Sequence, residues 1–147
     1  MKHTLALVLA GFLALPTGAT GPVDPTDLPL IRPAESTDLS EFLWIKRPVI
    51  VFADTPADPR FIEQIELLEK ELEMLDERDV VVLTDTDPAA TSVIRTKLRP
   101  RGFTLVLVGK DGGVKLRKPA PYTVRELTRV IDKMPVRQRE VQERRGQ

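Results

Sequence analysis

The residues best equipped for chemistry in this chain are its aspartates. Asp54 and Asp58 follow the apolar run PVIVFA (48–53), and Asp85 and Asp87 close the apolar run VVVLT (80–84). If the two runs are parallel strands, their carboxyl ends bring four carboxylates to the place where open α/β sheets bind ligands. Such a set could hold Ca²⁺ or Mg²⁺ through oxygen ligands and support a metal-dependent hydrolase built on Asp54, Asp85 and Asp87. The same aspartates also have a structural use. Asp58 and Asp87 each precede a proline, the arrangement in which Asp caps a helix and Pro takes its first position. The second chemical group is basic: Lys97, Arg99, Arg101, Lys110, Lys115, Arg117 and Lys118. It reads either as a docking face for an acidic protein, a glycan or a phosphate-bearing surface, or as the solvated rim of an edge hairpin.

Composition removes more chemistry than it supplies. The chain has no cysteine and one histidine, His3. Lys2 and His3, the apolar run LALVLAGFLAL (5–15), Pro16 and the small residues Thr17-Gly18-Ala19 have the pattern of a cleaved secretory signal peptide over residues 1–19. The apolar run falls short of the ~20 residues that span a bilayer. The expected product is exported, periplasmic or secreted, with no membrane insertion after cleavage. Without the first 19 residues the chain carries 21 basic against 22 acidic side chains, a balance that gives no reason to expect a nucleic-acid partner. It then lacks both imidazole and thiol, so ordinary zinc, copper or haem sites have no ligands. No metal or cofactor is expected.

The elements that must position these residues are legible from periodicity. Residues 20–37 contain four prolines and little periodicity, the mark of an extended leader. DLSEFLW (38–44) forms a short helix or turn that sends Leu39, Phe42 and Leu43 inward. Phe42 and Trp44 serve core or rim packing rather than a ligand platform. PVIVFA is a strand buried on both faces. From Asp58 a helix carries Phe61, Ile65, Leu68, Leu72 and Leu75 on one stripe, with Glu63, Glu66, Glu69, Glu73 and Glu77 outward. DVVVLTD (79–85) is a second buried strand, joined to the first by a parallel, right-handed crossover. AATSVIRTKL follows Asp87-Pro88 as a helix. FTLVLVG (103–109), the turn KDGG and VKLRK (114–118) read as a hairpin. Thr123 and Glu126 form a capping box for a last helix that buries Val124, Leu127, Ile131 and Met134 and stops at Pro135. Residues 136–147 read as a charged mobile tail.

Two motif matches dissolve on inspection. Asp85-Thr86-Asp87 after an apolar strand matches the nucleophile motif of haloacid-dehalogenase phosphatases. However, Ala89 stands where that motif wants Thr or Val, and no later acidic strand end follows. Gly109-Lys110-Asp111-Gly112-Gly113 lies between strands instead of opening a helix, so it is a turn and not a phosphate loop.

The order β-α-β-α-β-β-α, together with VVVLTDTDPAATSVIRTKLRPRGFTLVLVGKDGGV, resembles the thioredoxin fold. The expected class is α/β, a thioredoxin-like core with a four-stranded mixed sheet flanked by helices, over residues 38–135. The pieces LSEFLWIKRPVIVFA, FTLVLVGKDGGVKLRK and VIDKMPVRQRE resemble, more closely, a domain of unknown function found in small secreted bacterial proteins. That family is related to the peroxiredoxin-like domains of vertebrate extracellular sushi-repeat proteins. The resemblance implies that TPADPR occupies the segment of the reactive cysteine pair, with Ala57 and Arg60 nearest those slots. It also implies that Phe103 replaces the cis-proline before the third core strand. Thiol exchange and cysteine-based peroxide reduction are therefore unavailable. The expected role is a non-catalytic adaptor that binds another exported protein. It would use a crevice of Asp54, Thr55, Asp58, Asp85, Asp87 and Phe103 and a docking face of Lys110, Lys115, Arg117 and Lys118.

Overall fold

A computed structural model describes residues 28–147. The proposed signal peptide, and the first part of the proline-rich leader, lie outside the described residues. Five strands form one mixed sheet in the order β1-β3-β2-β4-β5: β1 (Ile31–Pro33), β2 (Arg47–Phe52), β3 (Val80–Asp85), β4 (Thr104–Val108) and β5 (Val114–Lys118). β1 and β2 both run parallel to β3, while β4 is antiparallel to β2 and to β5. Among the described residues five α-helices accompany them: α1 (Pro59–Glu69), α2 (Leu72–Asp76), α3 (Val93–Leu98), α4 (Val124–Asp132) and α5 (Pro135–Arg145).

The unbroken apolar runs are explained by the two cores they feed. Successive strand side chains point to opposite faces. Val49, Val51, Val82, Leu105 and Leu107 meet Leu68, Leu75, Val124, Leu127 and Ile131 on the face covered by α1, α2 and α4. Ile50, Phe52, Val81, Leu83 and Val106 meet Leu39, Phe42, Ile94 and Leu98 on the other. The expected element order is present. The sheet has one strand more than expected, because the leader contributes β1: Ile31 pairs with Val82 and Pro33 with Thr84. Pro33 is tolerated there because an edge strand can turn its missing donor to solvent.

The first helix departs from the continuous stripe. It breaks at Glu71 (φ −136°, ψ 42°) and resumes as α2. The rotation at the break leaves Leu72 partly exposed while Leu75 is buried. Glu69 and Glu73, like charges four apart across the break, disfavour continuous helix there by about 0.2–0.5 kcal/mol. Gln64, a polar residue beside the apolar stripe, is fully buried. Its Nε2 donates to Tyr122 O at 2.9 Å, and its Oε1 accepts from Tyr122 N at 2.8 Å. It thus satisfies the backbone at the approach to α4. Gln64→Ala should cost about 2 kcal/mol by stranding both backbone groups, readable as a lower urea midpoint at unchanged slope.

The segment read as a mobile tail is helix α5. Pro135 does not end the structure; it takes the first position of the new helix, where a missing N–H is harmless. The apolar residues of this helix, on whose scarcity the tail reading rested, are only partly buried at Val136 and Val141. Ion pairs hold it as well. Glu140 reaches Arg47 at 3.1 Å and Lys110 at 2.7 Å. Arg137 donates to Glu77 O at 3.2 Å.

Candidate functional site

At the carboxyl end of β3 the aspartates do not converge as a ligand set. Asp85 is buried, and its carboxylate accepts from Arg95 Nη2 at 2.9 Å, from the Asp87 N–H at 3.2 Å and from the Ser92 hydroxyl. The Arg95 guanidinium also donates to Ala53 O and Asp85 O, and its centre lies 5.3 Å from the Phe52 ring centroid. Burial pushes the Asp85 pKa up, but the hydrogen bonds from Arg95, Ser92 and Asp87 outweigh it and hold the carboxyl below its ordinary value. A carboxylate so engaged offers poor basicity to a reaction and no free oxygen to a cation. Asp87 caps the 3₁₀ turn Pro88–Ala90 by accepting from Ala89 N at 3.2 Å. Asp54 is exposed. Among the described residues no group of three His, Cys, Asp or Glu is placed to hold a metal ion.

At the start of α1, Asp58 is the N-cap and accepts from Arg60 N at 2.9 Å. It also pairs with the Arg60 guanidinium at 3.2 Å, while Thr55 Oγ1 accepts from Ala57 N. The Arg60 guanidinium lies 5.6 Å from the centroid of buried Phe103. The two positions that the thioredoxin resemblance assigns to a cysteine and to a cis-proline are therefore in contact, as a cation over an aromatic face. No cis peptide bond occurs among the described residues. The loop is closed by its own side chains.

The four basic residues expected to form one docking face are dispersed. Lys110 lies in the β4–β5 turn and is consumed by Asp79 (2.8 Å) and Glu140. Lys115 pairs with Asp111 at 2.9 Å. Arg117 donates to Leu98 O of α3, and the Lys118 ammonium lies over the Tyr122 ring. Because β4 runs antiparallel to β2, the turn sits beside the amino end of β2. The TPADP loop sits at its carboxyl end, so crevice and turn occupy opposite ends of the sheet.

What the turn does adjoin is Trp44. This residue is 64% exposed, with Leu43 and Ile45 also exposed at 41% and 63%, whereas Phe42 is buried. Trp44 adopts φ +63°, a region that bulky side chains rarely visit. It is held there by its N–H donating to Lys110 O at 2.8 Å. Gly112 (φ +83°) shapes the turn, and a Cβ there would lie 2.9 Å from Leu43 Cδ2. A cleft of about 570 Å³ is lined by Trp44, by the apolar Val130, Met134, Pro135 and Val136, and by charged residues: Lys133, Arg139 and the paired Lys110, Asp111 and Lys115 among them. Neither Lys133 nor Arg139 has an ion-pair partner among the described residues. Sequence reading placed Trp44 in packing because apolar residues usually pack. The available signal was LWI (43–45), three consecutive apolar residues that one short turn cannot all send inward.

Comparison with known proteins agrees with the fold. The chain is similar to the reduced 2-Cys peroxiredoxin of Plasmodium vivax, at 18% identity and a TM-score of 0.54, covering 69% of this chain and 83% of that one. It is equally similar to chloroplastic thioredoxin z, at 19% identity and a TM-score of 0.54, covering 70% and 92%. No curated protein matches significantly. A family profile described as "Domain of unknown function (DUF4174)" matches residues 38–140.

Proposed function

The chain belongs to the DUF4174 family, and on that premise we propose that it is an exported, non-catalytic thioredoxin-like module that binds another protein through the Trp44 cleft. One observation carries this reading: a tryptophan held at positive φ and turned to solvent, beside a cleft whose apolar side chains lie with the unpaired cations Lys133 and Arg139. Exposed apolar clusters rimmed by charge are typical of association sites, and Trp and Arg are the side chains that dominate them. The partner this surface suits is an exported protein that offers an acidic segment with an apolar anchor. The absence of cysteine supports a role outside thiol chemistry, and the signal-peptide pattern of residues 1–19 supports export.

Two measurements test the reading. A photo-crosslinker at the neighbouring exposed position 45, with Trp44 kept, should capture one dominant exported protein in cells. Capture should fall at least tenfold with Lys133→Glu/Arg139→Glu and stay unchanged with Lys118→Glu; equal capture by both variants would sink the cleft as the binding face. Stability gives the second. Trp44→Gly relieves a backbone conformation worth about 1–3 kcal/mol at non-glycine residues and gives up little buried area. It should leave the thermal midpoint unchanged or raised while binding is lost. A drop of the size expected for a packed aromatic, about 3 kcal/mol or more, would return Trp44 to a structural role.

A further inference from the structure

Far from Trp44, the chain carries a second, independent feature: a groove lined by three arginines and by no acidic residue. Arg99, Arg101 and Arg117, together with Leu98, Thr104 and Pro119, line one groove of about 480 Å³ between the end of α3 and the β4–β5 hairpin. Six other arginines, Arg47, Arg60, Arg78, Arg95, Arg137 and Arg144, form ion pairs; what sets the groove apart is that three unpaired arginines line one site. None of the three groove arginines has such a partner among the described residues. Their backbone setting is defined. Arg99 closes α3 in the left-handed region (φ +48°), its N–H donating to Arg95 O at 2.9 Å, and Gly102 follows at φ +57°. Arg101 O is tied down by Thr104 Oγ1 at 3.2 Å. Arg117 is the most constrained, with Nη2 donating to Leu98 O at 2.9 Å, which leaves its remaining N–H groups for another acceptor.

Like charges gathered without a counter-charge repel one another, and a bound polyanionic group would offset that repulsion. The chemistry favours a tetrahedral oxyanion over a lone carboxylate. Guanidinium forks bind phosphate and sulfate oxygens two at a time, and three arginines lining one groove carry more N–H donors than the two oxygens of a carboxylate would satisfy. We infer that the Arg99–Arg101–Arg117 groove is a binding site for a phosphate or sulfate group, free or carried as an ester.

The test titrates the purified chain with inorganic phosphate and with inorganic sulfate, against sodium chloride at matched ionic strength. Amide NMR shifts over residues 98–104 and 117 and the thermal midpoint are followed. A saturable shift confined to that loop, absent in chloride, is expected. Arg99→Ala/Arg101→Ala should weaken it at least tenfold. Arg101→Lys, which keeps the charge but loses the fork, should weaken it by less than the double variant. Both replaced side chains are exposed, so the fold should tolerate the changes. Further arms identify the carrier. Retention on phosphatidylglycerol vesicles, lost in the double variant, assigns a lipid headgroup. Competition by a sulfated oligosaccharide assigns a glycan, and phosphate binding without either assigns a soluble ligand. No localised shift with either anion, an equal shift in chloride, or an unchanged shift in the double variant would overturn the inference.

Discussion

Glu140→Ala is expected to lower the unfolding free energy by about 3 kcal/mol, the scale set by stranding a buried charge. An exposed ion pair would predict less than about 1 kcal/mol, so the magnitude decides which description holds. Arg47 is fully buried, and its Nη2 divides its hydrogen bonds between both Glu140 oxygens at 3.1 Å each. Its Nη1 donates to Arg78 O, while Nε has no partner among the described residues. Removing Glu140 leaves that guanidinium uncompensated and also takes a partner from Lys110. Hydrogen exchange should show α5 opening before the sheet, because this helix owes its attachment chiefly to charge. Arg47→Met combined with Glu140→Leu should recover most of the loss, since a well-packed apolar pair can replace a buried ion pair at little cost. Failure of that rescue, together with a small single-mutant effect, would show that α5 docks by other means. The same network warns against Lys110→Glu as a docking probe, because it would disturb the fold.

Acid should act on the same joint. Burial pushes the Glu140 pKa up, but hydrogen bonds and charge from Lys110 and Arg47 outweigh this and hold it below its ordinary 4.5. Asp79, buried in part and paired with Lys110, is likewise held below its ordinary 3.8. Carboxyls with lowered folded-state pKa values bind protons more readily in the unfolded chain. Their stabilisation is therefore complete above about pH 4.5 and is lost as pH falls through the folded values. Stability should be flat from neutral pH down to that point and then fall, with α5 protection lost first. Glu140→Ala should flatten the acid limb.

The second large effect is at Asp85. Asp85→Ala should cost about 3 kcal/mol by leaving the nearly buried Arg95 without its carboxylate and the Ser92 and Asp87 donors without their acceptor. Asp85→Asn should cost less, because an amide oxygen still accepts one of these bonds. The loss should be the same in excess Ca²⁺ or Mg²⁺ and in chelator, since the carboxylate serves the fold. A wild-type thermal midpoint that rises with either cation and ceases to do so in Asp85→Ala would instead restore the metal-dependent reading.

Much of this was legible along the chain. Asp58-Pro59 and Asp87-Pro88 do cap and start helical turns, and Thr123 with Glu126 forms the capping box. Those are interactions between residues two or three apart, and local chemistry suffices to read them. The four-carboxylate crevice illustrates the limit. Type and spacing allowed a ligand set, but the outcome depended on Arg95, ten residues from Asp85, turning its guanidinium back onto the strand end. The helical stripe failed at one place for a similar reason. Period 3.6 assigns a face only while the helix is unbroken, and Glu71 breaks it.

The sequence by itself determined the buried strands, their parallel crossover and hairpin, and the exclusion of thiol chemistry, because periodicity and composition are properties of the chain before it folds. Only the tertiary structure decided which charges meet. Arg47 and Glu140 are 93 residues apart, and no local pattern relates them. Only the tertiary structure likewise turned a polar tail into a docked helix, added Ile31–Pro33 to the sheet edge and set Trp44 facing solvent. Burial and charge pairing are relations between distant segments, and they exist only once the sheet has brought those segments together.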